Sequence, residues 1–417
     1  MNKPFDIHGW DYANGRELVN GLIRKQAQRQ PKSKEWYEVL LEKYDSYGGK
    51  AFGLTLCQEI ARFSTRLSVP EFLHHAILNR ELMADERVRA IVQDRLREFR
   101  SVMIRSSAAD EDWIDPRSGV HESKAFSPES AMDEIMARIE RNENLVVQRR
   151  EWGIGCVVDV GFSELLQKPI VRIAHGNIAL VPYGGRYSSA TWDGESQVGV
   201  YDAQTGEPIV PIAKYEKLAA IASDLVRELV NGLKRLEIDF GVQFELVIDP
   251  DNTEKWSLVQ MRPSPEALRG MRQAPETCGE LMCTTGKVSR AGAAEGFICL
   301  SNGPYSHGPY ACENRIMAWE NGALGKWGGE LDNLIDAHEN GAVAHVAERC
   351  WIMNSAHGQF YRHGEFSLEK IEVVQKMLIL TPPANFKFYE KLGCPARKQD
   401  VRLRLVSDGL VGQIFRL

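Results

Sequence analysis

Between residues 102 and 112 the chain reads Val102-Met103-Ile104-Arg105-Ser106-Ser107-Ala108-Ala109-Asp110-Glu111-Asp112, an apolar strand that runs into an arginine, two hydroxyls and three carboxylates. A strand end with this chemistry suits an oligophosphate and its metal. Arginine offers forked donors to phosphate oxygens, the serines add hydroxyl contacts, and the acids hold Mg²⁺ or balance local positive charge. The same letters also read as a strand followed by a solvated acidic helix start, with Ser106 or Ser107 as N-cap.

Four further segments bear on that choice. Upstream lies Tyr47-Gly48-Gly49-Lys50-Ala51-Phe52-Gly53-Leu54, a glycine pair and a lysine opening an amphipathic helix, followed by Val69-Pro70-Glu71-Phe72. Downstream lie Ser118-Gly119-Val120-His121-Glu122-Ser123, the strand Leu145-Val146-Val147-Gln148, and a hairpin ending Leu258-Val259-Gln260-Met261-Arg262-Pro263. Ser127-Pro128-Glu129 is a helix start, with a capping serine, a proline at the first position and an acid near the positive dipole end. Leu218, Ile221, Leu225, Leu229, Leu233 and Leu236 recur every three to four positions, so 213–236 is the longest helix candidate and its stripe is core packing. Residues 242–248 alternate as a strand, turn near Asp249-Pro250-Asp251-Asn252 and return through Trp256 to Met261. If the turn is 250–253, Gln243 lies opposite Gln260 with Glu245 diagonal to it, and Glu245, Gln260 and Arg262 share one face.

Lys50, just past two glycines, can reach a phosphate from a helix start where backbone N–H groups point outward. The spacing is not that of a Walker P-loop, and out of context the segment also reads as a turn with an exposed lysine.

In this order, over roughly residues 45 to 265, the five segments resemble the nucleotide-binding domain of the pyruvate phosphate dikinase and phosphoenolpyruvate synthase family, an ATP-grasp fold. The resemblance implies an ATP site with Lys50, Arg105, Ser107 and Arg262 on the phosphates, and Gly119 to Ser123 as a glycine loop closing over them. Val147 and Gln148 would present backbone to adenine, and Glu245 and Gln260 would hold Mg²⁺. The chain departs from the family at Arg149 and Arg150, where an apolar residue is usual, and at Ala174-His175-Gly176-Asn177 and Pro182-Tyr183-Gly184-Gly185-Arg186.

After Pro263-Ser264-Pro265 the character shifts to a linker and then to a glycine-rich region. There Asn340-Gly341-Ala342-Val343-Ala344-His345-Val346-Ala347 is similar to the family's swivelling phosphohistidine domain, in which a histidine opens a helix after a glycine turn. The similarity implies that His345 relays phosphate from ATP, which suits imidazole as a nucleophile at neutral pH; His338, His357 and His363 are weaker candidates. A lone histidine is otherwise more often structural.

The expected architecture is therefore α/β and α+β. A helical extension over 1–45 precedes an ATP-grasp-like domain over 46–268. A smaller phosphohistidine-like domain follows over 279–365, and 366–417 forms a C-terminal tail. The family's pyruvate barrel would need roughly 250 further residues, so the expected activity is an ATP-dependent phosphotransferase without it, passing phosphate through His345 to a small-molecule or protein acceptor. Two alternatives stand beside it: a nucleotide-binding regulator with a degenerate relay, and a direct ATP-grasp kinase or ligase without a phosphohistidine.

Composition narrows the partners. A net charge of −6 in 417 residues argues against a nucleic-acid binder, which needs a basic excess to neutralise phosphates. The eight cysteines carry no Cys-x-x-Cys spacing, so reduced thiols are expected. No apolar run approaches the roughly 18 residues that cross a bilayer. The N-terminus lacks a signal-like apolar core, and a cytoplasmic location without a membrane partner is expected.

Overall fold

A computed structural model describes residues 49–73, 77–107, 123–151, 153–175, 197–212, 216–236, 241–249, 252–263, 277–301, 312–324, 328–350, 353–354, 359–360, 373–374, 376–383, 385–392 and 401–417. The extension over 1–45, the acids Asp110, Glu111 and Asp112, Gly119, His357 and His363 lie outside the described residues, and of Ser123 only the backbone is described. The described residues begin with α1 (Gly49–Ala61), β1 (Leu67–Ser68), α2 (Arg80–Ala84), α3 (Glu86–Glu98), β2 (Val102–Ser106), β3 (Ser123–Phe126), α4 (Pro128–Glu140) and β4 (Leu145–Arg149). There follow β5 (Ile154–Ser163), β6 (Lys168–His175), β7 (Gln197–Asp202), β8 (Pro208–Val210), α5 (Glu216–Arg235), β9 (Val242–Ile248) and β10 (Trp256–Pro263). The remainder comprises β11 (Glu280–Thr285), β12 (Lys287–Val288), β13 (Ala291–Ser301), β14 (Arg315–Leu324), α6 (Gly328–Glu339), β15 (Ala344–Cys350), β16 (Met353–Asn354), β17 (Gln359–Phe360), β18 (Ile379–Thr381), α7 (Phe388–Lys391), β19 (Arg402–Asp408) and β20 (Gly412–Arg416).

Two compact units result. One gathers residues up to 155 with 228–265; the other gathers 156–177, 190–227 and 266–417. The stretch from Cys156 to Arg227 thus groups largely with the C-terminal residues, whereas the sequence placed it inside one continuous 46–268 domain.

In the first unit, β3, β2 and β4 form an antiparallel sheet. Val102, Ile104, Leu145 and Val147 point to one face of it, where they pack with Val92 and Leu96 of α3 and Ala131, Ile135 and Ile139 of α4. On the opposite face Arg105 lies beside Val146 in register, and Val146 packs against Ala51 and Leu54 of α1. Helix α1 also lies along β10, which pairs with β9 and, in parallel, with β1. The approach is backbone to backbone: a Cβ on Gly53 would sit 1.9 Å from the Met261 carbonyl oxygen.

The hairpin closes over a longer loop than the sequence suggested. Trp256 pairs with Ile248, and a bulge at Val259 shifts the ladder, so Gln260 faces Glu245 and Arg262 faces Gln243. The net displacement from the expected register is two residues, an even number, which leaves each side chain on its expected face.

In the second unit β5, β6, β7 and β8 form an antiparallel meander in which Asp159 and Arg172, both fully buried, make an ion pair at 3.1 Å. An eight-stranded sheet of order β11-β20-β19-β13-β14-β15-β18-β12 follows, with β13, β14, β15 and β18 parallel. Residues after 366 are integral to it, since β18, β19 and β20 are three of its strands. Ser163 Oγ donates to Asp408 Oδ2 at 2.5 Å, and Leu410 and Val411 pack on Ile170, Val200 and Val210.

Gly53→Val forces α1 away from β10 and is expected to cost about 2–3 kcal/mol, read as a lowered urea midpoint. An unchanged midpoint would show that α1 is not seated on the Met261 backbone.

Candidate functional site

The residues that the sequence grouped by chemistry meet in the first unit at three element ends. At the end of β2 the Arg105 guanidinium donates through one Nη to Val259 O and to Gln260 Oε1, both at 3.1 Å. Its Nε is buried and makes no hydrogen bond among the described residues. One residue past β2, Ser107 Oγ accepts from Ala51 N at 3.2 Å. Ser107 therefore acts as a cap for α1, 56 residues away in sequence; the residues that would form a local helix after it lie outside the described residues. A hydroxyl at this position satisfies one of the free N–H groups of the first turn. Lys50 sits in that same turn and is buried to 6% exposure.

On the β9–β10 hairpin, Arg262 Nε donates to Gln243 Oε1 at 2.7 Å, with both side chains buried. Glu245 faces Gln260 across the ladder and is half-buried. Arg105, Gln260, Glu245, Arg262 and Gln243 thus belong to one connected surface, and the helix bearing Lys50 is tied to it through Ser107 and through Gly53 on β10. Sequence reasoning did not single out Gln243 as a site residue. The available signal was parity, since a residue two positions before Glu245 shares its face.

The adenine contacts inferred for Val147 and Gln148 are not available as drawn. Leu73 N donates to Val147 O at 2.9 Å and Arg149 N to Glu71 O at 2.8 Å, with Phe72 bridging Gln148 and Leu78 bridging Leu145. Strand β4 is consequently paired on both sides, by β2 and by the segment from Glu71 to Leu78. The Gln148 side chain, 2% exposed, lies 3.4 Å from Pro70 O. The Val147 carbonyl is thereby taken, and Gln148 pairs with Met103 of β2, so these groups are not open to a base. Ser123 pairs with Arg105 through the backbone.

His345 differs more. The helix expected to begin there is β15, hydrogen-bonded to β14 and β18 and buried on both faces, as central parallel strands are. The imidazole is fully buried; Trp319 Nε1 donates to its Nδ1 at 3.3 Å, and its Nε2 makes no hydrogen bond among the described residues. Burial pushes its pKa down to about 3, with His338 adding to the effect. In this position the ring is neutral and out of reach of an external phosphoryl donor.

Among the described residues no helix is long and apolar enough to cross a membrane, and no three of His, Cys, Asp and Glu converge as a metal set. No protein-family model and no curated protein matches the sequence. Among solved structures the chain is similar to a D-alanine–D-alanine ligase from Bacillus anthracis, at 11% identity and TM-score 0.31 over 51% of this chain and 58% of that one. An L-amino acid ligase from Bacillus licheniformis aligns at 12% identity and TM-score 0.31, over 61% of this chain and 53% of that one. The D-Ala:D-Ser ligase of Enterococcus faecalis aligns at 13% and 0.31, over 50% of each. The chain thus spans between about half and three-fifths of the length of these structures. Likenesses of this size fix neither fold family nor activity, and the functional reading rests on the side-chain geometry.

His345 makes a pH-dependent contribution with a definite sign. An unfolded histidine takes up a proton near pH 6.5 and the folded one near pH 3, so stability is full above 6.5 and falls as pH drops through that window. At pH 5 the loss is about 2 kcal/mol. Urea unfolding at pH 7 and pH 5 should show this loss in the parent and its removal in His345→Leu; equal losses in both would overturn it.

Proposed function

We propose that this chain is an ATP-dependent enzyme that grips Mg²⁺-ATP in its first unit in the ATP-grasp manner. It would pass phosphate directly to its acceptor, without a histidine relay. The observation that supports this reading is the tie between the end of β2, the first turn of α1 and the β9–β10 hairpin, which gathers the Lys50 helix, Arg105 and Arg262 around a glutamate and two glutamines.

The residues fit a triphosphate. Arg105 has a buried Nε donor with no hydrogen-bond partner among the described residues, and the first turn of α1 carries the positive end of a helix dipole. Glu245 would supply one carboxylate for Mg²⁺, and Gln260 the lone pair of its amide oxygen that Arg105 does not take, with the remaining positions left to phosphates and water. The ion, when bound, neutralises phosphate charge. The protein's part is positioning: Lys50, Arg105 and Arg262 hold the chain of phosphates while an acceptor oxygen forms a bond to the γ-phosphorus, the bridging P–O bond breaks and ADP leaves.

Two observations weigh between rival readings. The buried strand position of His345 favours direct transfer over the dikinase route. The single carboxylate opposite Gln260 favours, as second reading, a regulator that binds nucleotide without turnover.

Incubation with β- and γ-labelled ATP and Mg²⁺ is expected to give ADP, no AMP and no acid-labile phosphoprotein. AMP with label lost in His345→Ala would restore the relay, and binding without turnover would establish the regulator. Lys50→Ala and Arg105→Ala should each weaken nucleotide binding by about tenfold or more, as expected for loss of a charge-assisted contact; unchanged affinity in both would remove the site.

A further inference from the structure

The second unit holds a group of sulfur ligands that plays no part in the reading above. Parallel register places Cys299 of β13 opposite Met317 of β14. Side chains in such a row share one face, about 4.8 Å apart along the hydrogen-bonding direction. Cys312, just before β14, puts its Sγ 3.6 Å from the Met317 Sδ. Cys312 and Met317 are fully buried in the core cluster that includes Leu334 and Ala337 of α6, and Cys299 packs against its edge, partly exposed.

A cation accompanies the sulfurs. Arg315 N donates to Cys312 O at 2.9 Å, yet the Arg315 Nη1 is buried without a hydrogen bond, and the guanidinium makes no ion pair among the described residues. Burial pushes the Cys312 thiol up to about 11, the neighbouring Cys299 raises it further, and Arg315 pulls it back. Arg315 acts in the same lowering sense on Cys299. Arg315 also stands two positions before Met317 on β14, on the strand face that Met317 shares with Cys299.

We infer that Cys299, Cys312 and Met317 form a binding site for a soft monovalent metal ion, Cu(I). Thiolate and thioether donors select Cu(I), whereas zinc requires a set rich in thiolate, imidazole or carboxylate. No three such groups converge here among the described residues. Metal–sulfur bonds of about 2.3 Å meeting at roughly 100–120° place two sulfurs about 3.5–4.0 Å apart, which brackets the 3.6 Å between Cys312 and Met317. Charge balances as well. Each thiol releases its proton to solvent as its S–Cu bond forms, the metal keeps its oxidation state, and two thiolates with Cu(I) leave one negative charge that Arg315 cancels. Partial exposure of Cys299 supplies the entry path.

The test is anaerobic titration of the reduced full-length chain with Cu(I) in competition with bathocuproine disulfonate. The expected result is one copper retained per chain, absent in Cys299→Ala and at least tenfold weaker in Met317→Leu, a swap that conserves volume. Zn(II) should not be held by these residues under the same competition. Equal copper retention in the parent and in Cys299→Ala, or Zn(II) held as tightly as copper and lost with Cys299, would overturn the assignment. Air oxidation to a Cys299–Cys312 disulfide in a chain that retains no copper would do so too.

Discussion

The first unit depends on how closely α1 approaches β10. Because Gly53 has no side chain, the helix can rest on the Met261 carbonyl, a contact any Cβ would prevent. That approach, with the Ser107 hydroxyl on Ala51 N, sets the first turn of α1 against the ends of β2 and of the hairpin. Neither contact contributes much free energy alone, since a cap is worth about 1 kcal/mol. Together they determine where Lys50 stands relative to Arg105 and Gln260.

Polar groups near this junction are fixed chiefly by one another. Arg105 holds Gln260 and the Val259 carbonyl, and the Val259 bulge turns that carbonyl out of the regular ladder. Gln243 holds Arg262. The guanidinium groups of Arg105 and Arg262 are thus held in fixed orientations beside the Glu245 carboxylate, and under the proposed function such preorganisation would avoid reordering cost at binding. The second unit spends its buried charge differently. Asp159 and Arg172 are sealed inside the meander, where removing either partner alone would leave an uncompensated charge.

Much of the local structure was legible. The Ser127-Pro128 start, the leucine stripe from Leu218 to Leu233 and the alternation in 242–248 became α4, α5 and β9 because capping and periodicity are local properties. The pairing of Gln260 and Arg262 with one hairpin face survived an error in turn length because the displacement was even. The misreadings share a cause. His345 follows a glycine turn, as a helix-opening histidine would, but the alternation of small and β-branched residues around it also satisfies a central parallel strand, and only β14 and β18 decide between the two. Val147 and Gln148 read as a strand correctly. Their availability to a base depended on whether another segment covered β4, and Glu71 to Leu78 does.

The chain by itself determined which residues have the chemistry to suit a phosphate, where most helices and strands lie, and which side chains share a face, because those follow from residue type and from periods of two and 3.6. The tertiary structure decided which helix Ser107 caps, that Gln243 orients Arg262, that residues after 366 complete a sheet begun at Glu280, and that His345 is enclosed. Each of these is a contact between positions far apart in sequence, and such a contact is set by packing and strand pairing, which no local pattern records.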